Sequence, residues 1–177
     1  MIYMLLTDGF EDIEALETLD IIRRAGLLAK TVGIKSEKVV SSHDVTVLCD
    51  QIFEDTDFSD MTMLILPGGP GHTAFSESEK VTDLIKSTYE KGILIGAICA
   101  SPSVIGKLGL LKGVRFTCFP GFENTAKGGI YSPEKAVSSG QFITARGAGA
   151  ASDFGFEIVK HFKGELIASE LKKQMQY

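Results

Sequence analysis

Three short stretches of the chain are apolar at every position: "IYMLL" at residues 2–6, "MLIL" at 63–66 and "ILIGAI" at 93–98. A strand with one solvated face alternates apolar and polar residues, whereas a strand that is apolar throughout is buried on both faces. Strands buried on both faces are typical of a parallel sheet covered by helices on each side. No other feature of the sequence constrains the fold as strongly.

Amphipathic segments with helical spacing separate these strands. The first runs from Glu11 to Ala25, and Gly26 follows at the position where a helix commonly ends. Further helices are predicted near 79–91, near 101–108, at 151–163 and in the tail "ELIASELKKQMQ". The sequence therefore predicts an α/β sandwich of three layers with a mainly parallel central sheet, built as one domain over residues 1–177.

The remaining strands are assigned from shorter patterns. "AKTVGI" predicts a second strand, and "GVRFTCF" and "QFITARG" predict two later ones. "KVVSSHDVTVLCD" alternates apolar and polar residues around a polar turn, which predicts a hairpin at an edge of the sheet.

Composition excludes several classes of function. The formal net charge is −5 and basic residues occur at most in pairs, so nucleic acid is not expected as a main ligand. No apolar run approaches the roughly 20 residues that span a bilayer, and no leader sequence is visible, so we expect a cytoplasmic protein that does not bind membranes. The three cysteines and three histidines lack disulfide or zinc spacing, and we expect no metal.

Cys99 lies where the strand "ILIGAI" gives way to the helical "ASPSVIGKLG". In a parallel α/β fold this is the carboxyl end of a strand, where ligands collect, and a sharp strand-to-helix turn there is a nucleophile elbow. The neighbouring helix end favours the thiolate, which is the reactive form of cysteine. The alternative is a packed core cysteine, because free cysteine is among the most buried residue types.

Glu14 is the candidate partner of this cysteine. At about 100° per residue it projects close to Ile21 and Ala25, on the inward side of the first helix. A partly desolvated carboxyl beside a thiol has a raised pKa and can shuttle a proton. The alternative is an acid that merely stabilises the start of a helix.

The glycine loop "LPGGPGH", residues 66–72, ends another buried strand. The backbone N–H groups of Gly68 or Gly69 and of Ala100 are candidates for an oxyanion hole beside Cys99. The alternative is a simple strand-ending turn. The loop lacks the Gly-Lys-Ser/Thr ending of a nucleotide phosphate loop.

Four motifs together resemble the ThiJ/PfpI family of the class I glutamine amidotransferase-like superfamily: "DGFEDIEALETLDIIRRAG", "ILPGGPG", "GAICASP" and "ARGAGAASDFG". They occur in the family's order and spacing across almost the whole chain. The resemblance is strongest to the subgroup of the Parkinson-disease-associated protein deglycase and its bacterial relatives. It implies a flavodoxin-like fold with a nucleophile elbow, a homodimer, and no cofactor.

Position by position, the resemblance implies a reactive cysteine at Cys99, an acid that hydrogen-bonds it at Glu14, and backbone oxyanion donors at Gly69 and Ala100. It places two further residues, Arg24 and His43, near the dimer interface and pocket, with solvated surface as the alternative for each. His43 stands where the family has arginine, and Ala148 stands at the pocket rim where relatives often have proline.

Phe119, in "RFTCFP", departs from the resemblance because the subgroup has a histidine there. A phenyl ring accepts no proton, so no Cys-His dyad forms at this position. The peptidase branch has a histidine directly after the cysteine, where this chain has Ala100. His72, in the glycine loop, is a possible neighbour of the site, although a solvent-exposed loop residue is the favoured reading. Cys49, Cys118 and His161 are read as structural.

These residues lead to three ranked hypotheses. The first is a slow, cofactor-independent cysteine enzyme of the glyoxalase or deglycase type, acting on reactive dicarbonyls or on glycated protein or thiol adducts. The second is a redox-sensing or chaperone-like protective dimer in which Cys99 is oxidised to the sulfinate. A peptidase is third, because no evident base adjoins the cysteine.

Overall fold

A computed structural model describes all 177 residues. The central sheet has seven strands: β1 (Ile2–Leu6), β2 (Ala29–Gly33), β5 (Gln51–Ile52), β6 (Met63–Leu66), β7 (Leu94–Ile98), β10 (Ala136–Ser139) and β11 (Phe142–Ala145). They lie in the order β10-β11-β7-β6-β1-β2-β5. Only the β10–β11 pair is antiparallel. The mainly parallel sheet is confirmed.

Six helices cover the sheet: α1 (Asp12–Arg24), α2 (Thr73–Glu77), α3 (Glu79–Glu90), α4 (Pro102–Lys107), α5 (Ala151–Lys163) and α6 (Glu165–Gln174). Successive side chains of β1 alternate between two apolar clusters, one shared with α1 and α5 and the other with α2, α3 and α4. The helices therefore form two layers with the sheet between them, as the three-layer prediction requires.

Two small sheets lie outside the central one. β3 (Lys38–Val40) and β4 (Thr46–Leu48) form an antiparallel hairpin, while β8 (Arg115–Phe116) pairs in parallel with β9 (Ile130–Tyr131). The hairpin was correctly predicted, but its position at a sheet edge was wrong. It forms its own sheet, and the short strand β5 pairs with β2 at that edge instead.

"GVRFTCF" is a strand only at Arg115–Phe116. After Phe116 the backbone leaves the strand because its donors find partners elsewhere: the Thr117 N–H donates to Thr144 Oγ1 (2.9 Å) and the Phe119 N–H donates to the Cys99 carbonyl oxygen (2.7 Å). This bend carries Phe119 to the carboxyl end of β7. No helix of the structure is both long enough and apolar enough to span a membrane.

Candidate active site

β1, β6 and β7 are adjacent parallel strands, so the loops that follow them meet at one edge of the sheet. The loop after β1 leads into α1 and Glu14, the loop after β6 contains Gly68 and Gly69, and Cys99 follows β7. The fold thus brings together three segments that are far apart in the chain.

Cys99 has a φ of +64°, in the left-handed region that residues with a Cβ rarely adopt. Its N–H donates to the Ala145 carbonyl oxygen of β11 (2.8 Å), so the strand pairing continues up to the cysteine before the chain turns. Ser101 fixes the far side of the turn by donating from Oγ to the Pro67 carbonyl oxygen (2.5 Å). Strained backbone held from both sides is the geometry expected of a nucleophile elbow.

Glu14 is 1% exposed and lies directly beside Cys99. The Gly68 N–H donates to Glu14 Oε2 (2.9 Å). The other oxygen, Oε1, is buried without a well-aligned hydrogen-bond partner, and the Cys99 thiol lies within reach of the carboxyl group. Burial raises the pKa of Glu14 to about 7, opposed by the hydrogen bonds from Cys99 and Gly68. Near neutral pH this carboxyl therefore exists in both protonation states.

Gly68 makes this approach possible. A Cβ at this position would lie 2.5 Å from the Cys99 Cβ and 2.5 Å from Glu14 Oε2. Any larger residue would push the carboxyl away from the sulfur, so glycine is required here for close packing. The sequence suggested Gly68 only as an oxyanion donor, and in the structure its N–H is already donated to Glu14.

The N–H groups of Gly69 and Ala100 both face the Cys99 sulfur and favour its thiolate. Burial and the charge of Glu14 act in the opposite direction, and together they raise the pKa of the Cys99 thiol. The sequence predicted a lowered pKa from the helix end alone and missed these two causes. With its pKa raised, the thiol keeps its proton near neutral pH and shares it with the Glu14 carboxylate through a hydrogen bond.

Cys99 is partly exposed and lines a cavity of about 240 Å³. The walls are mostly apolar or backbone, and they are formed by Gly69, Pro70, His72, Ala100, Phe119 and Phe122. Four larger depressions elsewhere, of about 470, 320, 520 and 420 Å³, contain no cysteine. A cavity this small suits a ligand of a few heavy atoms, since drug-sized sites measure about 300–1,000 Å³.

Phe119 forms one wall of this cavity and is 47% exposed. Its phenyl ring offers no proton acceptor there. His72 forms another part of the wall, so its favoured reading as a mere solvent-exposed loop residue was wrong. Its ring is held at the site by contacts that the loop sequence does not reveal.

Three other candidates lie outside the cavity. Arg24, ten residues and so about 15 Å along α1 from Glu14, forms an ion pair with Asp20 (2.6 Å). His43 is 71% exposed on the hairpin turn. Ala148 is half-buried beside Gly147, which approaches the Phe119 ring, but does not itself line the cavity. None of the three lines this cavity, and their expected roles at the pocket rim or at a dimer interface stay predictions.

One cluster has the composition of a metal site: ligand atoms of Glu11, Asp12 and His43 lie within 4.8 Å of one another. Local hydrogen bonds account for it. Glu11 Oε2 accepts from the Glu14 N–H (2.7 Å), and Asp12 accepts from Ser41 Oγ (2.6 Å) and lies 2.8 Å from His43 Nδ1. Asp12 thereby raises the pKa of His43. The absence of a functional metal stays a prediction.

Comparison with known proteins decides the relationship. Residues 1–161 match the DJ-1/PfpI family. The chain belongs to this family. The crystal structure of Drosophila melanogaster DJ-1beta superposes with a TM-score of 0.92 at 32% identity, covering 99% of this chain and 96% of that one. The recognition of the family from the four motifs is therefore confirmed, as is the flavodoxin-like fold.

Two further relatives differ in how much of their own length the match covers. The glutathione-independent glyoxalase DJR-1.2 of Caenorhabditis elegans is 30% identical over 174 residues, which are 97% of this chain and 93% of that protein. Protein DJ-1 homolog B of Arabidopsis thaliana is 32% identical over 172 residues, but the match spans 95% of this chain and only 39% of that longer protein. This DJ-1/PfpI chain thus corresponds to about two fifths of the plant protein.

Proposed function

We propose that this DJ-1/PfpI protein is a cofactor-independent cysteine enzyme that converts small dicarbonyls such as methylglyoxal to hydroxy acids. The observation that carries the proposal is the pairing of Cys99, which lines a small cavity, with the buried carboxyl of Glu14. The glyoxalase activity in the name of the nematode relative supports the same class of substrate.

In the proposed reaction the Cys99 sulfur bonds to the aldehyde carbon, and the thiol proton passes through Glu14 to the aldehyde oxygen. The N–H groups of Gly69 and Ala100, which already face the sulfur, stabilise the negative charge that develops on this oxygen. The product of this step is a hemithioacetal on Cys99.

The Glu14 carboxylate then removes the proton from the former aldehyde carbon and returns it to the neighbouring ketone carbon, while the hydroxyl proton on the first carbon passes to the ketone oxygen. The first carbon is oxidised to a thioester and the second is reduced to an alcohol, so no external oxidant or reductant is needed. Water hydrolyses the thioester and releases lactate and the free thiol. A carboxyl with a pKa of about 7 suits both directions of proton transfer at neutral pH.

The test measures lactate formed from methylglyoxal by the wild type, Cys99→Ser and Glu14→Gln. The chain carries two further cysteines, Cys49 and Cys118, both buried, so Cys118→Ala is a matched control for loss of a thiol. We expect no lactate above background from Cys99→Ser, a loss of at least about 10²-fold in Glu14→Gln, and full activity in Cys118→Ala. Equal activity in all four proteins would contradict the proposal.

A second candidate function is redox sensing or protection, in which Cys99 is oxidised to the sulfinate. The partly exposed cysteine, the two N–H donors and the protonated form of Glu14 would together stabilise the sulfinate oxygens. Peroxide titration followed by intact mass tests it. A stable adduct of two oxygens confined to Cys99, in a protein that forms no lactate, would favour sensing over turnover.

A further inference from the structure

The cavity above Cys99 contains a second reactive side chain that the mechanism above does not use. Of the residues that line it, only Cys99 and His72 carry groups able to exchange a proton. Glu14 is 1% exposed and does not line the cavity. His72 is therefore the one proton acceptor on the open side of the site.

Contacts on both sides of the ring fix His72. Its Nδ1 lies 3.0 Å from the Gly69 carbonyl oxygen. A carbonyl oxygen only accepts hydrogen bonds, so Nδ1 carries the hydrogen and Nε2 keeps the lone pair in the neutral ring. Phe122 packs against the ring edge-to-face, with the centroids 5.5 Å apart and the planes at 89°. The imidazole is thus held in one tautomer with a free accepting nitrogen.

Gly69 connects this imidazole to the cysteine. Its N–H faces the Cys99 sulfur while its carbonyl oxygen accepts from His72. Gly69 has a φ of +92°, and a Cβ on it would lie 2.5 Å from both the Glu11 nitrogen and the Gly9 oxygen. The residue is therefore locked in place, and one rigid peptide segment sets the position of His72 relative to the oxyanion donors.

The hydrolysis of the thioester requires a base on this open side. Glu14 contacts the sulfur and so reaches the carbons bonded next to it, whereas a water molecule approaches the carbonyl carbon from the cavity, which His72 lines and Glu14 does not. In a cavity of about 240 Å³, any ligand attached to Cys99 lies close to the His72 wall. Phe119, on another wall of the same cavity, cannot accept a proton.

We propose that His72 is the general base for the water that hydrolyses the Cys99 thioester. This inference rests on the proposed dicarbonyl function. Nε2 takes a proton from the water while its oxygen bonds to the thioester carbon, and the carbon–sulfur bond then breaks. The sulfur leaves with its electron pair and takes up the proton of the imidazolium, which restores the thiol and the neutral ring. No other reactant is consumed.

His72→Asn tests this role, because an asparagine amide can keep the hydrogen bond to Gly69 but has no counterpart of Nε2. We expect lactate formation to fall about 10²-fold and the acyl adduct on Cys99 to accumulate in the intact mass after mixing with methylglyoxal. Free imidazole in the buffer should restore part of the lost activity. His161→Asn is the matched control, because His161 is exposed on α5 and does not line this cavity.

The outcomes separate the two proposals. If the wild type forms no lactate, both the proposed function and the role of His72 are refuted. If the wild type is active and His72→Asn matches it, only the role of His72 is refuted. A loss of activity with no adduct and no response to imidazole would also refute it, since that result indicates a purely structural residue. Adduct accumulation with imidazole rescue, absent in His161→Asn, would support the proposal.

Discussion

Cys99 and Cys118 lie on neighbouring segments, joined by the hydrogen bond from the Phe119 N–H to the Cys99 carbonyl oxygen. Burial is the largest cause of a raised thiol pKa at both. Cys118 is 1% exposed and packs in the apolar cluster on the α2–α4 side of the sheet. Cys99 is partly exposed and lines the cavity. Desolvation alone therefore does not distinguish the candidate nucleophile from the structural cysteine.

The groups around each sulfur do distinguish them. Cys99 has a buried carboxyl and two backbone N–H donors, supplied by Glu14, Gly69 and Ala100. At Cys118 burial and then the charge of Glu123 raise the thiol pKa to about 12, with no N–H donor opposing them. The pKa of the Cys99 thiol is also raised to about 12, so the difference lies in the groups that surround the sulfur. The reactivity expected of Cys99 therefore depends on groups that other segments of the chain place around its sulfur and that Cys118 lacks. Each prediction below tests one part of this difference between the two cysteines.

The largest expected difference is in alkylation of the folded protein. Iodoacetamide should modify Cys99 directly in the folded protein. Cys118 can react only after the structure opens, which costs several kcal/mol, so we expect its labelling to be at least about 10³-fold slower than that of Cys99. Peptide mapping by mass spectrometry at a series of times measures both rates. In guanidinium chloride the two rates should become similar. Comparable rates in the native protein would break the distinction between them.

A second prediction concerns the space between Glu14 and Cys99. Gly68→Ala should destabilise the protein by about 3 kcal/mol, because the new Cβ would overlap both side chains and the overpacked site must shift. Gly149→Ala is the matched control: a Cβ there would meet nothing within 4 Å. Urea unfolding gives both free energies. If the two variants have the same free energy of unfolding, close packing at Gly68 does not hold Glu14 against Cys99.

Much of the fold could be predicted from the sequence because it follows from burial. β1, β6 and β7 are apolar on both faces, and this local property is visible in a single strand. β10 was missed, because "AVSS" is short and half polar and is a strand only through its pairing with β11. The early end of β8 was missed for a related reason: Thr117 and Phe119 find partners on Thr144 and Cys99.

The candidate site divides in the same way. The turn at Cys99 and the inward side of α1 that carries Glu14 follow from strand ends and helical periodicity. The position of His72 does not, because its ring is oriented by Gly69 and by Phe122, which lies 50 residues later. The glycine loop offered no periodic pattern, and the only available signal was the presence of an imidazole near the strand end. The steric role of Gly68 likewise depends on distances between three segments.

A third prediction uses the carboxyl that Cys99 has and Cys118 lacks. The pKa of Glu14 rises from 4.5 to about 7 on folding. The neutral carboxyl is thus favoured in the folded state, and its stabilising effect is full below pH 4.5 and is lost as the pH rises through 7. Between pH 5 and pH 8 the wild type should lose on the order of 2 kcal/mol relative to Glu14→Gln.

Urea unfolding of both proteins at the two pH values measures this difference, and subtracting the variant removes the contributions of all other titrating groups. A difference between the two proteins that does not change with pH would show that Glu14 ionises in the folded protein much as it does in the unfolded chain. There would then be no reason to infer that the Glu14 carboxyl and the Cys99 thiol share a proton.

The smallest expected effect compares serine at the two cysteine positions. At Cys99 a serine hydroxyl can accept from the Gly69 and Ala100 N–H groups and is open to solvent. Cys99→Ser should therefore lower the free energy of unfolding by less than about 1 kcal/mol. At Cys118 the hydroxyl enters an apolar cluster, and an unpaired buried hydroxyl costs about 1–3 kcal/mol. Thermal and urea unfolding measure both variants. Because the exchange of sulfur for oxygen is identical at the two sites, a larger cost at Cys99 would mean that its sulfur is held by packing and not by the polar groups around it.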